Sequence, residues 1–268
     1  MDVFEQYKTA QKAGWAHFAP LQMITTQPAA RLVRFAGVRA GDRVLDVACG
    51  TGVVAVTAAR AGAAATGIDI TPELVREAHE NGRTAGVSID WHEGDVEAMP
   101  FADASFDVVL SQFGHMFAPR PERAVSEMLR VLRPGGTIAF ATWPPELFVG
   151  RMFALVARYM PPLPSEIAPP PAWGDPAVVR HRLGSDVRDL VFDRDTMAVA
   201  TLSLAHFRRL TERTAGPVLR LVEMLGQTDL DRLAAFRREY DALADEYYDG
   251  NVLRQGYLLA RGLRAAGP

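Results

Sequence analysis

Apolar residues in this chain fall into short runs whose period switches between strand and helix. Arg43 to Val47 is a nearly unbroken apolar, β-branched run, the pattern of a strand buried on both faces. Val53 to Arg60 follows with helical spacing, and Gly62 closes it. A second strand-like run ends in Gly67-Ile68-Asp69-Ile70, a third apolar run covers Ser105 to Ser111, and another covers Thr137 to Phe140. Between the last two, Arg133-Pro134-Gly135-Gly136 reads as a tight turn leading into the strand. Strands alternating with helices predict an α/β fold, a doubly wound, mostly parallel sheet with helices on both faces.

The flanks read differently. In residues 1–40, Phe4, Tyr7, Trp15 and Phe18 recur at roughly helical spacing, and Pro28 to Phe35 predicts a second helix before the Ala40-Gly41-Asp42 turn. This is an N-terminal helical cap, and its aromatic residues either cover a ligand as a lid or dock the helix on the core. Residues 41–145 are the sheet core. Residues 146–250 form a helical insertion. It contains a helix over Glu146 to Tyr159, a proline-rich stretch from Pro161 to Pro171 and a strand over Val187 to Val191. Helices follow over Leu204 to Thr214, Pro217 to Leu225 and Asp229 to Tyr247. The proline-rich stretch is too stiff and too poor in N–H donors for a helix, so it is either an ordered wall over the site or a loose loop. Residues 251–268 carry the closing strand, Asn251 to Leu263.

The chemistry is concentrated at the strand ends. Gly50 and Gly52 let a ligand approach the main chain after the first strand. Asp69 ends the second strand, where a carboxylate can accept from both hydroxyls of a ribose. Gly50-Thr51-Gly52-Val53-Val54-Ala55 matches a dinucleotide pattern, but Asp46 just ahead of it would repel a pyrophosphate. A carboxylate there suits the ammonium of a methionine moiety, which favours S-adenosylmethionine over NAD.

Two further blocks raise the specificity. They are Glu93-Gly94-Asp95-Val96-Glu97-Ala98-Met99-Pro100-Phe101 with Ser105-Phe106-Asp107, and Leu129-Arg130-Val131-Leu132-Arg133-Pro134-Gly135-Gly136. Taken in order with Asp46-Val47-Ala48-Cys49-Gly50-Thr51-Gly52 and Gly67-Ile68-Asp69, the sequence resembles the class I S-adenosylmethionine-dependent methyltransferases. It is most similar to the group containing the ubiquinone/menaquinone-biosynthesis C-methyltransferases. Ala48 stands where many class I enzymes have glycine, and the Phe113-Gly114 pair is shared. The resemblance runs from Val44 to about Trp143. It implies a Rossmann-like, seven-stranded sheet with the last strand antiparallel at the edge and a helical insertion before it. It implies that S-adenosyl-L-methionine is the cofactor and S-adenosyl-L-homocysteine the product. Within the resemblance, Asp95 accepts from the adenine amino group, the Val96 N–H meets a ring nitrogen, and Ile70 packs on the adenine face. Ser111 and Gln112 border the methionine moiety. Ala48, Cys49, Gly50, Gly52 and Gly94 complete the cofactor-binding set, with Cys49 contributing its backbone. Thr25, Thr26 and Gln27 are candidates for the methionine carboxylate.

Methyl transfer is an in-line displacement at an activated sulfonium carbon, so the protein supplies positioning and, where needed, a proton acceptor. His115, in the loop after the fourth strand, is the candidate base, or else a pocket wall; its ordinary pKa suits the task. His181 and His206 in the insertion and His17 in the cap are secondary candidates, while His79 and His92 read as surface residues. After Phe113-Gly114 the quinone methyltransferases carry an arginine and an asparagine, where this chain has Met116 and Phe117. That exchange favours a hydrophobic or aromatic acceptor, with Phe148, Phe153, Tyr159, Trp173, Phe207 and Tyr248 as candidate walls.

Composition narrows the classes. A formal charge of −3 over 268 residues gives no electrostatic case for nucleic acid, and the single cysteine argues against a disulfide or a cysteine-rich metal site. With no metal site, no membrane span and no signal segment, the expectation is a cytoplasmic enzyme with a small-molecule methyl acceptor; a homo-oligomer stays open. Two alternatives also remain. One is a recruited fold catalysing another reaction, such as a cyclisation in natural-product assembly; the other is a non-catalytic cofactor-binding module.

Overall fold

The computed structural model describes residues 2–266. Met1, Gly267 and Pro268, the outermost positions of the 1–40 and 251–268 segments, lie outside the described residues. The helices are α1 (Val3–Trp15), α2 (Thr26–Ala36), α3 (Val53–Arg60), α4 (Pro72–Thr84), α5 (Pro121–Val131), α6 (Phe148–Tyr159), α7 (Pro176–Leu183), α8 (Leu204–Thr214), α9 (Gly216–Thr228) and α10 (Leu230–Asp245). The strands are β1 (Arg43–Val47), β2 (Ala64–Asp69), β3 (Asp90–Glu93), β4 (Phe106–Gln112), β5 (Leu132–Thr142), β6 (Val187–Ala200), β7 (Tyr248–Asp249) and β8 (Val252–Arg264).

The sheet runs in the order β3-β2-β1-β4-β5-β8-β6, with the two-residue β7 paired to β8. β1 to β5 are parallel, and β8 is antiparallel to both neighbours. The α/β, mostly parallel architecture is as expected, with eight strands rather than seven. The closing strand is not at the edge. It inserts between β5 and β6, and β6 forms the edge instead.

Val44, Leu45 and Val47 are completely buried, each side chain worth roughly 1.5–3 kcal/mol of hydrophobic stabilisation. The turn expected at Arg133-Pro134-Gly135-Gly136 lies inside β5 as a bulge. Pairing jumps from Phe106↔Leu132 to Val108↔Thr137, so the extra residues on β5 loop out beside the register shift. β6 is far longer than Val187 to Val191, since it pairs with β8 out to Ala200↔Val252. Among the described residues no helix is long and apolar enough to cross a membrane.

Trp91 of β3 explains two of the conspicuous glycines. A methyl group at Gly67 would sit 2.4 Å from the Trp91 indole and 3.2 Å from the Cys49 sulfur. Gly52 is equally crowded by the same indole and has a left-handed φ of 80°. Gly67→Ala is therefore expected to lower stability by about 1–3 kcal/mol through overpacking. Urea denaturation reads this directly, and an unchanged midpoint would contradict the packing role.

Candidate active site

The carboxyl ends of β1, β2, β4 and β5 open into one cavity beneath α1 and the insertion. This is the rim at which open α/β sheets bind ligands. Asp46, Ala48, Cys49, Gly50, Asp69, Ile70, Gly94, Asp95, Val96 and Gln112 all line it. Strands from distant parts of the chain thus bring ten of the expected cofactor residues to one surface.

The loop after β1 turns through left-handed positions at Ala48 (φ 52°) and Gly50 (φ 55°). For Ala48, a residue with a Cβ, that conformation is strained. Asp69 staples the loop to β2. Its Oδ2 accepts from the Gly50 N–H at 2.8 Å, and its Oδ1 accepts from the Thr71 N–H at 2.8 Å. Burial raises the Asp69 pKa although both backbone bonds oppose the rise. Asp46 is 1% exposed. Its Oδ2 accepts from the Ala55 N–H at 3.0 Å, while its Oδ1 is buried without a partner. Burial pushes its pKa up to about 8, with the neighbouring Asp69 charge adding to the rise. The Gln112 amide is anchored by donation to the Thr25 carbonyl at 2.9 Å, and its Oε1 has no partner. Two orphaned oxygens and three carboxylates on one wall suit a ligand carrying an ammonium, an amine and hydroxyls.

Several expectations need correction. Gly52 does not line the cavity; it makes room for Trp91. Ser111 is also outside it, because its Oγ donates to the Val47 carbonyl at 2.7 Å and so braces β4 on β1. The Cys49 N–H is already bonded to the Ile68 carbonyl at 3.0 Å, although the residue does line the cavity. Of the cap candidates, Thr25 lines the cavity and Thr26 and Gln27 do not.

His115 is the largest correction. It is 0% exposed and absent from the cavity wall, with its ring packed 4.7 Å from Phe140 and 4.6 Å from Trp173. Neither ring nitrogen has a partner. Burial, assisted by the nearby Arg182 guanidinium, pushes its pKa down to about 3. A group so placed cannot reach an acceptor. His181, His206, His17 and His79 are exposed, and His92 pairs with Asp90, so none of the secondary histidines lines the cavity either. We expect His115→Phe to keep kcat/KM within about threefold of wild type, where loss of a general base costs 10²–10⁴. The buried neutral ring also depresses the folded-state pKa below the unfolded value near 6.5. Its contribution to stability is therefore present above that value and lost as pH falls through it, and the phenylalanine variant should unfold at lower pH. Steady-state kinetics and an acid titration followed by circular dichroism check both parts.

The proline-rich stretch gives no wall to the cavity. It leads into a 3-10 turn, Pro170–Gly174, whose Trp173 packs behind the site on His115 and whose carbonyl accepts from Thr142. Phe148, Phe153 and Phe207 do line the cavity, while Tyr159, Trp173 and Tyr248 do not. The cap aromatics divide by position. Trp15 and Phe18 face the cavity, whereas Phe4 docks under the Arg120 guanidinium at 4.7 Å.

Sequence reasoning missed Lys8. This lysine of α1 lines the cavity and reaches Asp95 at 2.5 Å and Glu97 at 2.8 Å. The fully buried Glu97 also holds Arg120 at 2.6 Å, so one carboxylate ties α1, the loop after β3 and the start of α5 together. Spacing along α1 marks Lys8 as one polar position among many; only the long-range pairing reveals its role.

Residues 45–140 match a family model described as a methyltransferase domain. The chain is 36% identical over 229 residues to an uncharacterized protein of Mycobacterium tuberculosis, covering 85% of this chain and 83% of the relative. It is 42% identical over 104 residues to a ubiquinone/menaquinone biosynthesis C-methyltransferase of Roseobacter denitrificans, a match spanning 37% of this chain and 42% of that protein. The crystal structure of the YcgJ protein of Bacillus subtilis has the same fold, with a TM-score of 0.59 and 20% identity over 90% of this chain and 100% of that one. With its sheet order and carboxylate rim, the chain belongs to the class I S-adenosylmethionine-dependent methyltransferases, and S-adenosylmethionine is its cofactor.

Proposed function

We propose that this enzyme methylates a small, apolar or aromatic molecule held in the half of the cavity farthest from β3. The observation that carries this reading is the polarity gradient across one continuous cavity. Its carboxylates come from the β1–β3 flank: Asp46, Asp69 and Asp95. Its apolar wall comes from the opposite flank and the insertion, with Phe148 and Phe153 of α6, Met197 of β6 and Phe207 of α8.

The roles follow from position. Asp69 takes the ribose hydroxyls, Asp95 the adenine amino group, and Asp46 the methionine ammonium. Ile70 and Val96 flank the adenine, and Gln112 borders the methionine end. When bound, S-adenosylmethionine supplies a methyl group on a positively charged sulfur. The residues of this chain then align the acceptor in line with it and exclude water, the positioning contribution to rate. α1 helps by roofing the cavity, since Gly14 backs so closely onto Gly216 that a methyl group added to it would lie 3.2 Å from the Gly216 Cα, and this contact joins the cap to the insertion.

Binding should be coupled to the Asp46 proton. A cationic ligand favours the carboxylate, so below about pH 8 binding releases a proton and affinity rises with pH, up to about tenfold per unit. Calorimetry in two buffers of different ionisation enthalpy reads the proton count. We expect release in the wild type and none in Asp46→Asn; equal release by both would remove Asp46 from the ligand. Methyl transfer itself is tested by incubating the enzyme with S-adenosylmethionine and a panel of apolar metabolites. Stoichiometric S-adenosylhomocysteine with a methylated product supports the reading. A converted acceptor without S-adenosylhomocysteine would point instead to a recruited reaction.

A further inference from the structure

The site lacks a proton acceptor where its acceptor would sit. Among the described residues, the titratable side chains lining the cavity are Lys8, Asp46, Cys49, Asp69 and Asp95. All of them come from α1 or from the β1–β3 flank. Lys8 and Asp95 hold each other, and Asp69 is taken by two backbone N–H groups. The opposite flank presents Trp143, Phe148, Met152, Phe153 and Phe207, and its polar groups are the neutral side chains of Thr211 and Gln255. Thr211 is already engaged, 2.9 Å from the Tyr240 hydroxyl. None of the six histidines lines the cavity.

This distribution restricts the nucleophile. A hydroxyl acceptor needs its proton taken, and no base faces it. A carboxylate acceptor needs a cation or several donors before it can leave water, and no protein cation stands on that flank. An uncharged nitrogen needs neither. We infer that the acceptor atom is an uncharged nitrogen, either in an aromatic ring or in a tertiary amine, on an apolar skeleton. This inference rests on the methyltransferase reading above. The nitrogen lone pair forms the new N–C bond, and the electron pair of the breaking C–S bond stays on sulfur. The positive charge passes from sulfur to nitrogen, and no proton moves. The aromatic wall suits this charge pattern. Trp143, stacked on Phe113 at 3.7 Å, lines the cavity with Phe148 and Phe207, and aromatic rings attract a cation.

The test uses the full chain with S-adenosylmethionine and acceptors of similar bulk. Quinoline and N,N-dimethylaniline carry the uncharged nitrogen; naphthol and naphthoate carry the oxygen nucleophiles. S-adenosylhomocysteine release and product mass are read across pH, and S-adenosylmethionine binding is titrated in the same preparation. We expect both nitrogen compounds to be methylated at least about 100-fold faster than the oxygen compounds, the advantage a missing base withholds from them. With S-adenosylmethionine saturating at each pH, their rates should fall only where the acceptor nitrogen itself takes a proton. Faster or equal methylation of naphthol or naphthoate, or no methylation of either nitrogen compound, would overturn the inference. If cofactor binding is intact in that preparation, only the acceptor assignment falls; if it is absent, the methyltransferase reading falls with it.

Discussion

Replacing Asp69 by alanine is expected to raise the dissociation constant for S-adenosylmethionine by at least about 100-fold, or about 2.7 kcal/mol. The residue acts twice. As a carboxylate at the tip of β2, it is the proposed acceptor for two ribose hydroxyls, and hydrogen bonds to a charged group are worth roughly 1.5–3 kcal/mol each. It also fixes the ligand loop, because its two oxygens hold the Gly50 and Thr71 N–H groups at 2.8 Å each. The alanine variant frees both amides and lets the strained turn at Ala48 relax away from its binding shape. The sheet should survive, since the apolar residues of β1 and β4 are untouched. Calorimetric titration gives the affinity, and far-ultraviolet circular dichroism shows whether the fold persists. A folded variant with less than about fivefold weaker binding would contradict the assignment.

Glu97→Ala should produce the largest loss of stability, about 3–5 kcal/mol, because it breaks a buried ion network on one side only. Glu97 is 1% exposed. It accepts from Lys8 at 2.8 Å, from the Arg120 guanidinium at 2.6 and 2.8 Å, and from the Arg120 N–H at 2.8 Å. Without it, the buried Lys8 ammonium keeps Asp95 and a distant Glu5, while Arg120 loses every one of these bonds. Since Lys8 holds α1 over the cavity, the effect should extend to function. Amide exchange over Val3–Trp15 should speed up, and cofactor affinity should fall even though Glu97 itself does not line the cavity. Chemical denaturation measures the stability term. A loss below about 1 kcal/mol would mean that the network is solvated in solution.

The parts of this molecule legible in the sequence are those whose signal is local. β1 and α3 span the residues the hydrophobic pattern marks, because a both-faces-buried strand and a glycine-bounded helix each announce themselves within a few positions. Asp46 and Asp69 were legible for the same reason: each ends a strand, and strand ends meet on one rim. The place of Asp95 on the same rim is legible only through the family resemblance. β6 was legible only at its start. Its later positions include the charged run Asp193-Arg194-Asp195, and only register with β8 shows that they form an edge strand. His115 misled because a loop position does not say which way a ring turns. Phe140 and Trp173, far along the chain, form its buried cage. Gly52 looked like a ligand glycine, and the reason it is glycine lies in Trp91, from another strand. Lys8 and Glu97 were invisible on the same principle, since an ion pair between α1 and the loop after β3 leaves no mark at either position alone.

Every role proposed for these residues requires the cavity to be a cofactor site. The most direct measurement is isothermal titration of the purified wild-type chain with S-adenosylmethionine and, separately, with S-adenosylhomocysteine. The structure predicts saturable binding of both at one site per chain, through the carboxylate rim they would share. Absence of binding by either ligand to the folded protein would contradict the account.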